Sequence, residues 1–124
     1  MRVEFKCAEQ ADPVPPAAPR ARGTGARLVV ELVALAGGHG VLLEHRQRAW
    51  ASVTFSGTRH ELVLRFEGEE AVAGGEVLIA ALSEHEFTIP RQLVADAAVV
   101  AVSHAMIPAP LMEVRCDVLM LDED

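Results

Sequence analysis

Two segments of the chain alternate between apolar and polar residues for long enough to predict β-hairpins. In the first, residues 48–67, two strands flank Gly57-Thr58, and glycine followed by a small polar residue is typical of a two-residue type II′ turn. Pairing the strands around this turn puts an almost wholly apolar set of side chains on one face. That set is Ala49, Ala51, Val53, Phe55, His60, Leu62, Leu64 and Phe66.

The other face of this hairpin carries charged residues and the tryptophan. The turn at Gly57-Thr58 sets Trp50 opposite Arg65 and Arg48 opposite Glu67, which predicts a cation–π pair and an ion pair. Shifting the turn by one residue would set Arg48 against Arg65. Because like charges directly opposed are unfavourable, we favour the first register.

Residues 99–121 predict a second hairpin, closed by the proline-rich residues 108–110. Pairing Ile107 with Leu111 again makes both strands agree about which face is apolar. That face carries Val100, Val102, His104, Met106, Met112, Val114, Cys116 and Val118.

Helices are predicted between these strands. Residues 27–36 suit either a helical stripe or a strand, and we favour a helix followed by a helical turn near residues 41–46. Residues 69–84 predict a second helix, whose first half is weakened by Gly74-Gly75.

The remaining segments are short. Residues 2–8 alternate as a half-buried strand, and residues 86–90 form a short strand ending at a proline. Residues 9–25 are rich in proline and glycine, which predicts a loop inside the domain.

These elements predict an α+β fold. A length of 124 residues suits a single domain, 1–124. We expect two layers: a mainly antiparallel sheet of five to six strands with one or two helices on one face, in a strand order similar to a ferredoxin-like unit. If residues 27–48 instead form a hairpin, a mostly β barrel or sandwich results.

Charge and composition limit the classes of partner that we expect for this chain. Eleven basic against eighteen acidic residues give a net charge of −7, and the chain has one Trp, four Phe and no Tyr. Such a chain lacks the positive field and the stacking rings of a nucleic-acid binder. No apolar run reaches the roughly 18–20 residues that cross a bilayer, so we expect neither nucleic acid nor membrane as partner.

The cysteines and the N-terminus indicate a compartment. Residues 1–6 alternate charged and apolar side chains, unlike a signal peptide, and Cys7 and Cys116 form no disulfide framework. We therefore expect a cytoplasmic protein with free thiols.

Catalytic motifs are incomplete. No histidine or cysteine pair has zinc-ligand spacing, so we predict no metal and no cofactor. His60, His104 and Cys116 share predicted apolar faces and could line a pocket for acid–base or ligand chemistry. The simpler interpretation is a pair of hydrogen-bonded core histidines and an inert core thiol.

Trp50 is the strongest surface candidate. An aromatic side chain beside Arg48 and Arg65 has the composition of an interface core. Alternatively, Arg65 caps the indole or the loop of residues 9–25 covers it.

Residues 47–60 and 84–96 resemble short hypothetical proteins of alphaproteobacteria, and the resemblance extends over the C-terminal two thirds of the chain. It implies a bacterial, cytosolic origin and carries no activity, cofactor or catalytic residue.

The sequence thus favours a non-enzymatic module that self-associates, for example as a homodimer, or binds a protein partner through the Trp50 face of the sheet. The alternative is a small enzyme or ligand-binding protein with a pocket lined by His60, His104 and Cys116.

Overall fold

The part of the chain that the structure describes forms two helices, a 3₁₀ turn and four strands. A computed structural model of the chain describes residues 18–123, with side chains from residue 23 onward. The elements are α1 (Ala18–Leu35), β1 (Val41–Ala51), β2 (Ser56–Glu67), α2 (Glu69–Ala81), a 3₁₀ turn (Leu82–Glu84), β3 (Gln92–Ala105) and β4 (Leu111–Asp122).

The four strands form one open antiparallel sheet in the order β1-β2-β4-β3. This confirms the α+β class and rules out the barrel or sandwich alternative for the described residues, but five to six strands was an overestimate. The predicted strand at residues 2–8 lies outside the described residues. Within them, β4 lies between β2 and β3, so that β2, α2 and β3 make a split βαβ crossover.

Both helices pack on the same face of the sheet, where one apolar core joins them. The apolar residues of β2 and β4 that alternate toward this face are buried, as the hairpin patterns predict. The core residues are Leu28, Leu32 and Ala36 of α1 and its C-terminal end, Val72 and Leu78 of α2, Leu62, Leu64 and Phe66 of β2, and Met112, Val114, Cys116, Val118 and Met120 of β4, with Leu82 and Ile89.

The first hairpin turns four residues earlier than predicted, at Val53-Thr54 instead of Gly57-Thr58. Its turn is formed by residues 52–55, where the amide of Ser52 donates to the carbonyl of Phe55 over 2.8 Å and the amide of Phe55 donates to Ser52 Oγ over 3.2 Å. Gly57 lies instead in β2, where a Cβ would overlap the main-chain carbonyl of Met120. The glycine therefore serves the close approach of β2 and β4, not the turn.

The earlier turn changes the register of this hairpin. Trp50 pairs with Gly57 and Arg48 pairs with Arg59, so the predicted pairs with Arg65 and Glu67 are wrong. Residues 41–46, predicted as a helical turn, are the first part of β1. Val53, predicted on the apolar face, is fully exposed in the turn.

The second hairpin is close to its prediction. Ala105, not Ile107, pairs with Leu111, a slip of two residues that keeps Val102 and His104 on the predicted, helix-side face. On the other side of the bulge at Val100 the prediction is wrong, because Val99 and not Val100 lies on the helix-side face, opposite Cys116. Bulges interrupt the pairing of β3 at Ala95 and Val100. On its helix-side face Val102 stays about half exposed, because no described helix extends over this end of β3.

The helices also differ from their predictions at their ends. Residues 18–25, predicted as loop, are the first turns of α1, where Pro19 is tolerated because first-turn amides have no helical acceptor. α2 begins at Glu69, and Gly75 lies against Phe66 and Met112 so closely that a Cβ would not fit.

The segment after α2 is not a strand. Residues 86–89 have no regular secondary structure, Pro90 begins a turn, and none of them pairs with another strand of the described chain. Ile89 is buried in the core and the amide of Thr88 donates to Glu31 Oε2 over 2.9 Å. The apolar alternation that predicted a strand here reflects docking of this segment onto the core.

Candidate functional site

The face of the sheet away from both helices carries the tryptophan. The ladder places Trp50, Gly57, Leu121 and Leu93 in one row across the four strands on this face. Leu121 is buried, Trp50 is partly buried and Leu93 is half exposed. We call this surface the helix-free face, because no described helix packs on it.

The hairpin turn beside this row exposes two large apolar side chains. Val53 is 102% exposed and Phe55 is 54% exposed. Phe55 faces Ser52 at the end of the ladder, so the pleat places it on the side of Trp50, one row further toward the turn. Trp50, Val53 and Phe55 together form what we call the tip patch.

The next row of the helix-free face brings two like charges together. Arg48 and Arg59 are directly opposed on β1 and β2, an arrangement that costs a fraction of a kcal/mol up to about 1 kcal/mol. The cost is reduced because Arg48 also forms an ion pair with Glu61, its diagonal neighbour. This row places two guanidinium groups next to the tip patch.

Carboxylates continue the same face further from the tip. Burial and the neighbouring Glu61 raise the pKa of Asp117. The positive charges nearby offset part of this increase, and they belong to Arg59, Arg48 and Arg115. Positive charge is thus concentrated beside the tip patch on β1 and β2, and negative charge begins one row away.

Arg65 lies far from the tryptophan. It pairs with Val41 and its Nε lies 3.1 Å from Glu67 Oε2. Eight residues of β2 separate Arg65 from Gly57, the partner of Trp50, a distance of about 27 Å along the strand. Arg48 and Trp50 therefore remain together as interface candidates, and Arg65 does not cap the indole.

A histidine pair lies under helix α1. His60 is buried on the helix-side face, and its Nδ1 lies 2.8 Å from Nε2 of His45 on β1. A Cβ on Gly25 of α1 would lie 3.0 Å from the His45 ring, so the glycine lets the helix pack closely over the pair. Burial lowers the pKa of His45, and burial together with His45 lowers the pKa of His60 to about 3.

This pair is a neutral hydrogen-bonded unit of the core, in agreement with the simpler interpretation of His60. His45 was not among the candidate residues, because the pattern of residues 41–46 predicts a helical turn and not a strand. Only the true register of β1 and β2, which sets His45 opposite Leu62 and next to His60, reveals the pair.

Only two of the three predicted pocket residues lie close together: His60 and Cys116 are on the helix-side face, on rungs two residues of β4 apart. Cys116 is buried opposite Leu62, whereas His104 pairs with Met112 and is exposed. The rungs of His104 and His60 are six residues of β4 apart, roughly 20 Å. Burial and the neighbouring Asp117 raise the pKa of Cys116 to about 12, so the thiol is a poor nucleophile at neutral pH.

A contact between a carboxylate and a histidine joins α1 to the segment after α2. Glu31 Oε1 lies 3.2 Å from Nε2 of His85, and its other oxygen accepts the amide of Thr88. The ring of His85 meets the ring of Phe87 edge-on at 4.6 Å between centroids. One carboxylate therefore holds this segment against the helix.

Within residues 18–123, no group of three or more His, Cys, Asp or Glu side chains is arranged to hold a metal ion. No helix of this described part combines the length and the apolar character needed to cross a membrane. None of the protein-family models, curated proteins or solved structures compared with this chain matches it.

Proposed function

We propose that this chain is a non-enzymatic binding module that recognises a protein partner through the tip patch. The observation that carries the proposal is the exposure of Val53 and Phe55 in the turn next to Trp50. Hairpin turns are normally built from Gly, Asn, Asp, Ser or Pro. Exposing two large apolar side chains there to water is unfavourable, and a partner that buried them would remove this free-energy cost.

The charges around the patch define the chemistry of the partner. Arg48 and Arg59 stand opposed in the row next to Trp50. A carboxylate of the partner would reduce the repulsion between these two side chains and could accept hydrogen bonds from both guanidinium groups. The partner is therefore an apolar protein segment flanked by Asp or Glu, with its apolar side chain on the tip patch.

The interaction can be followed without a label. Trp50 is the chain's only tryptophan and there is no tyrosine, so intrinsic fluorescence reports on this patch alone. A random peptide library displayed on phage would be selected against the intact protein, and the enriched peptides synthesised and titrated by Trp50 fluorescence.

We expect enriched peptides to combine an aromatic or branched apolar residue with neighbouring carboxylates. In the Val53→Ser/Phe55→Ser double variant, which keeps Trp50, affinity should fall by roughly 30-fold, the effect of losing about 2 kcal/mol at a hot spot. Val30→Ser is the matched control, since Val30 is an exposed apolar residue on helix α1.

Two results would overturn the proposal. One is a selection that enriches no peptide above the level obtained with the double variant. The other is a set of peptides whose affinity is equally insensitive to the tip substitutions and to Val30→Ser.

A further inference from the structure

The two outer strands of the sheet are protected very differently. β1 carries alternating charges at Glu44, Arg46 and Arg48, which discourage pairing with another strand. β3, the opposite edge, has Asp96 as its single charged residue. Residues 99–107, from the middle of β3 into the following turn, contain no Asp, Glu, Lys or Arg in a chain with a net charge of −7.

Among the described residues, no strand pairs with the outer edge of the second half of β3. All residues from 100 to 105 are exposed, including Val100 at 50% and Val102 at 47%. The turn continues this strip with Met106 and with Ile107, which is 86% exposed. A long apolar edge of this kind pairs readily with another strand unless something covers it.

A second copy of the chain is the occupant that fits best. Two copies of an acidic chain repel each other over most of their surfaces. Because the strip of residues 99–107 contains no Asp, Glu, Lys or Arg, two copies can meet there without placing like charges against each other. An antiparallel strand pair is also self-complementary, so the same edge serves both copies around a two-fold axis.

The regular part of the strand supports such an axis. After the bulge at Val100, pairing with β4 is uninterrupted from Ala101 to Ala105, a stretch centred on Ser103. An axis through Ser103 sets Ala101 opposite Ala105 of the second copy, and Val102 opposite its His104. Small residues then meet on the helix-free face, where bulky side chains would hinder the approach.

We propose that two copies of this chain associate by antiparallel pairing of the second half of β3, forming a continuous eight-stranded sheet. Eight strands is within the ordinary size of open sheets. Because only about five residues of each copy pair, the interface is at the small end of specific contacts, and the dimer exchanges with the monomer at accessible concentrations.

Sedimentation equilibrium over a roughly hundredfold range of protein concentration tests this proposal. We expect the wild-type chain to pass from monomer to dimer within that range. Val102→Lys and Val102→Glu, each measured alone, should remain monomeric, because the two substituted side chains come close together across the axis. An equimolar mixture of the two variants should regain the dimer, as opposite charges then meet.

The matched control is Val30→Lys, which adds the same charge at an exposed valine of helix α1 and should dimerise as the wild type does. Circular dichroism verifies that each variant is folded. If Val102→Lys fails to fold, His104→Lys at another exposed position of the same strand replaces it, with His104→Glu as its complement.

A wild-type chain that stays monomeric throughout would overturn the proposal. So would a dimer that persists in both Val102 variants. In the second case, loss of the dimer in Val53→Ser/Phe55→Ser would place self-association at the tip patch. If Val102→Lys is instead monomeric and still binds the selected peptides, the proposed function does not depend on the dimer.

Discussion

His45 Nε2 lies 2.8 Å from His60 Nδ1, so the N–H of one imidazole donates a hydrogen bond to the unprotonated nitrogen of the other beneath helix α1. At least one ring must stay uncharged to accept this bond, since protonation of both rings would remove the acceptor. Burial lowers the pKa of both histidines, that of His60 to about 3, because the charged form would lose its hydration.

This pair predicts that stability falls with acid. The unfolded chain binds protons below about pH 6.5, whereas folded His60 stays neutral until about pH 3, so the stabilisation is complete above pH 6.5 and is lost progressively below it. At pH 5, 1.5 units below the unfolded pKa, the loss from His60 is about 2 kcal/mol. Urea unfolding at pH 7 and pH 5 measures it.

The matched histidine control for this experiment is His104→Asn, because His104 is exposed and lies outside the hydrogen-bonded pair. The double variant His45→Gln/His60→Gln should lose much less stability between pH 7 and pH 5 than the wild type. Equal losses in the wild type and the double variant would contradict the assignment.

Cys116 should be inert in the folded protein. With a pKa of about 12, about one thiol in ten thousand is ionised at pH 8, and the side chain is fully buried. In a Cys7→Ser background, Ellman's reagent should react with Cys116 only as fast as the chain unfolds, and at once in denaturant. Rapid reaction under native conditions would show that the thiol is accessible.

Two helix glycines should respond oppositely to alanine. At Gly23 of α1 no atom lies within 4 Å of a new Cβ, so Gly23→Ala should stabilise the protein by up to about 1 kcal/mol. At Gly74 of α2 a Cβ would overlap the carbonyl oxygen of Ala36, and Gly74→Ala should destabilise by about 1–3 kcal/mol. Thermal unfolding of the two variants provides the comparison, and a gain at Gly74 would show that the helices can separate there.

Glu31 should hold the segment that follows α2. Removing its carboxylate leaves the Thr88 amide and the His85 ring without their partner, so Glu31→Ala should cost about 1–2 kcal/mol and speed hydrogen exchange at the Thr88 amide. Glu84→Ala, an exposed carboxylate nearby in sequence, is the control. Unchanged exchange at Thr88 in Glu31→Ala would contradict this role.

Which residues of β2 and β4 face the core was predictable from the sequence, and which residues are neighbours was not. Side-chain direction repeats every two residues along a strand, so the two-residue slip of β3 and the larger even shift of β1 left Leu64, Val114 and Trp50 on their predicted faces. The apolar pattern therefore located the core and the tryptophan.

Which residues pair across a hairpin depends on the position of its turn, and here two local features of the sequence predicted that position wrongly. Gly57 resembles a turn glycine, but it is a glycine because the backbone of β4 lies too close for a side chain. The rule that like charges do not face each other excluded one register, yet the true register places Arg48 opposite Arg59. Glu61, placed diagonally by the long-range register, makes that opposition tolerable. The same dependence on register hid the partnership of His45 with His60.

The order β1-β2-β4-β3 puts Trp50 and the second half of β3 on opposite margins of the sheet. Joined through β3, two molecules would hold their tryptophans at least seven interstrand spacings apart, more than roughly 34 Å. One short ligand could not bridge that span, but a target with repeated motifs could engage both ends at once, and its avidity would then depend on how far apart its motifs are spaced.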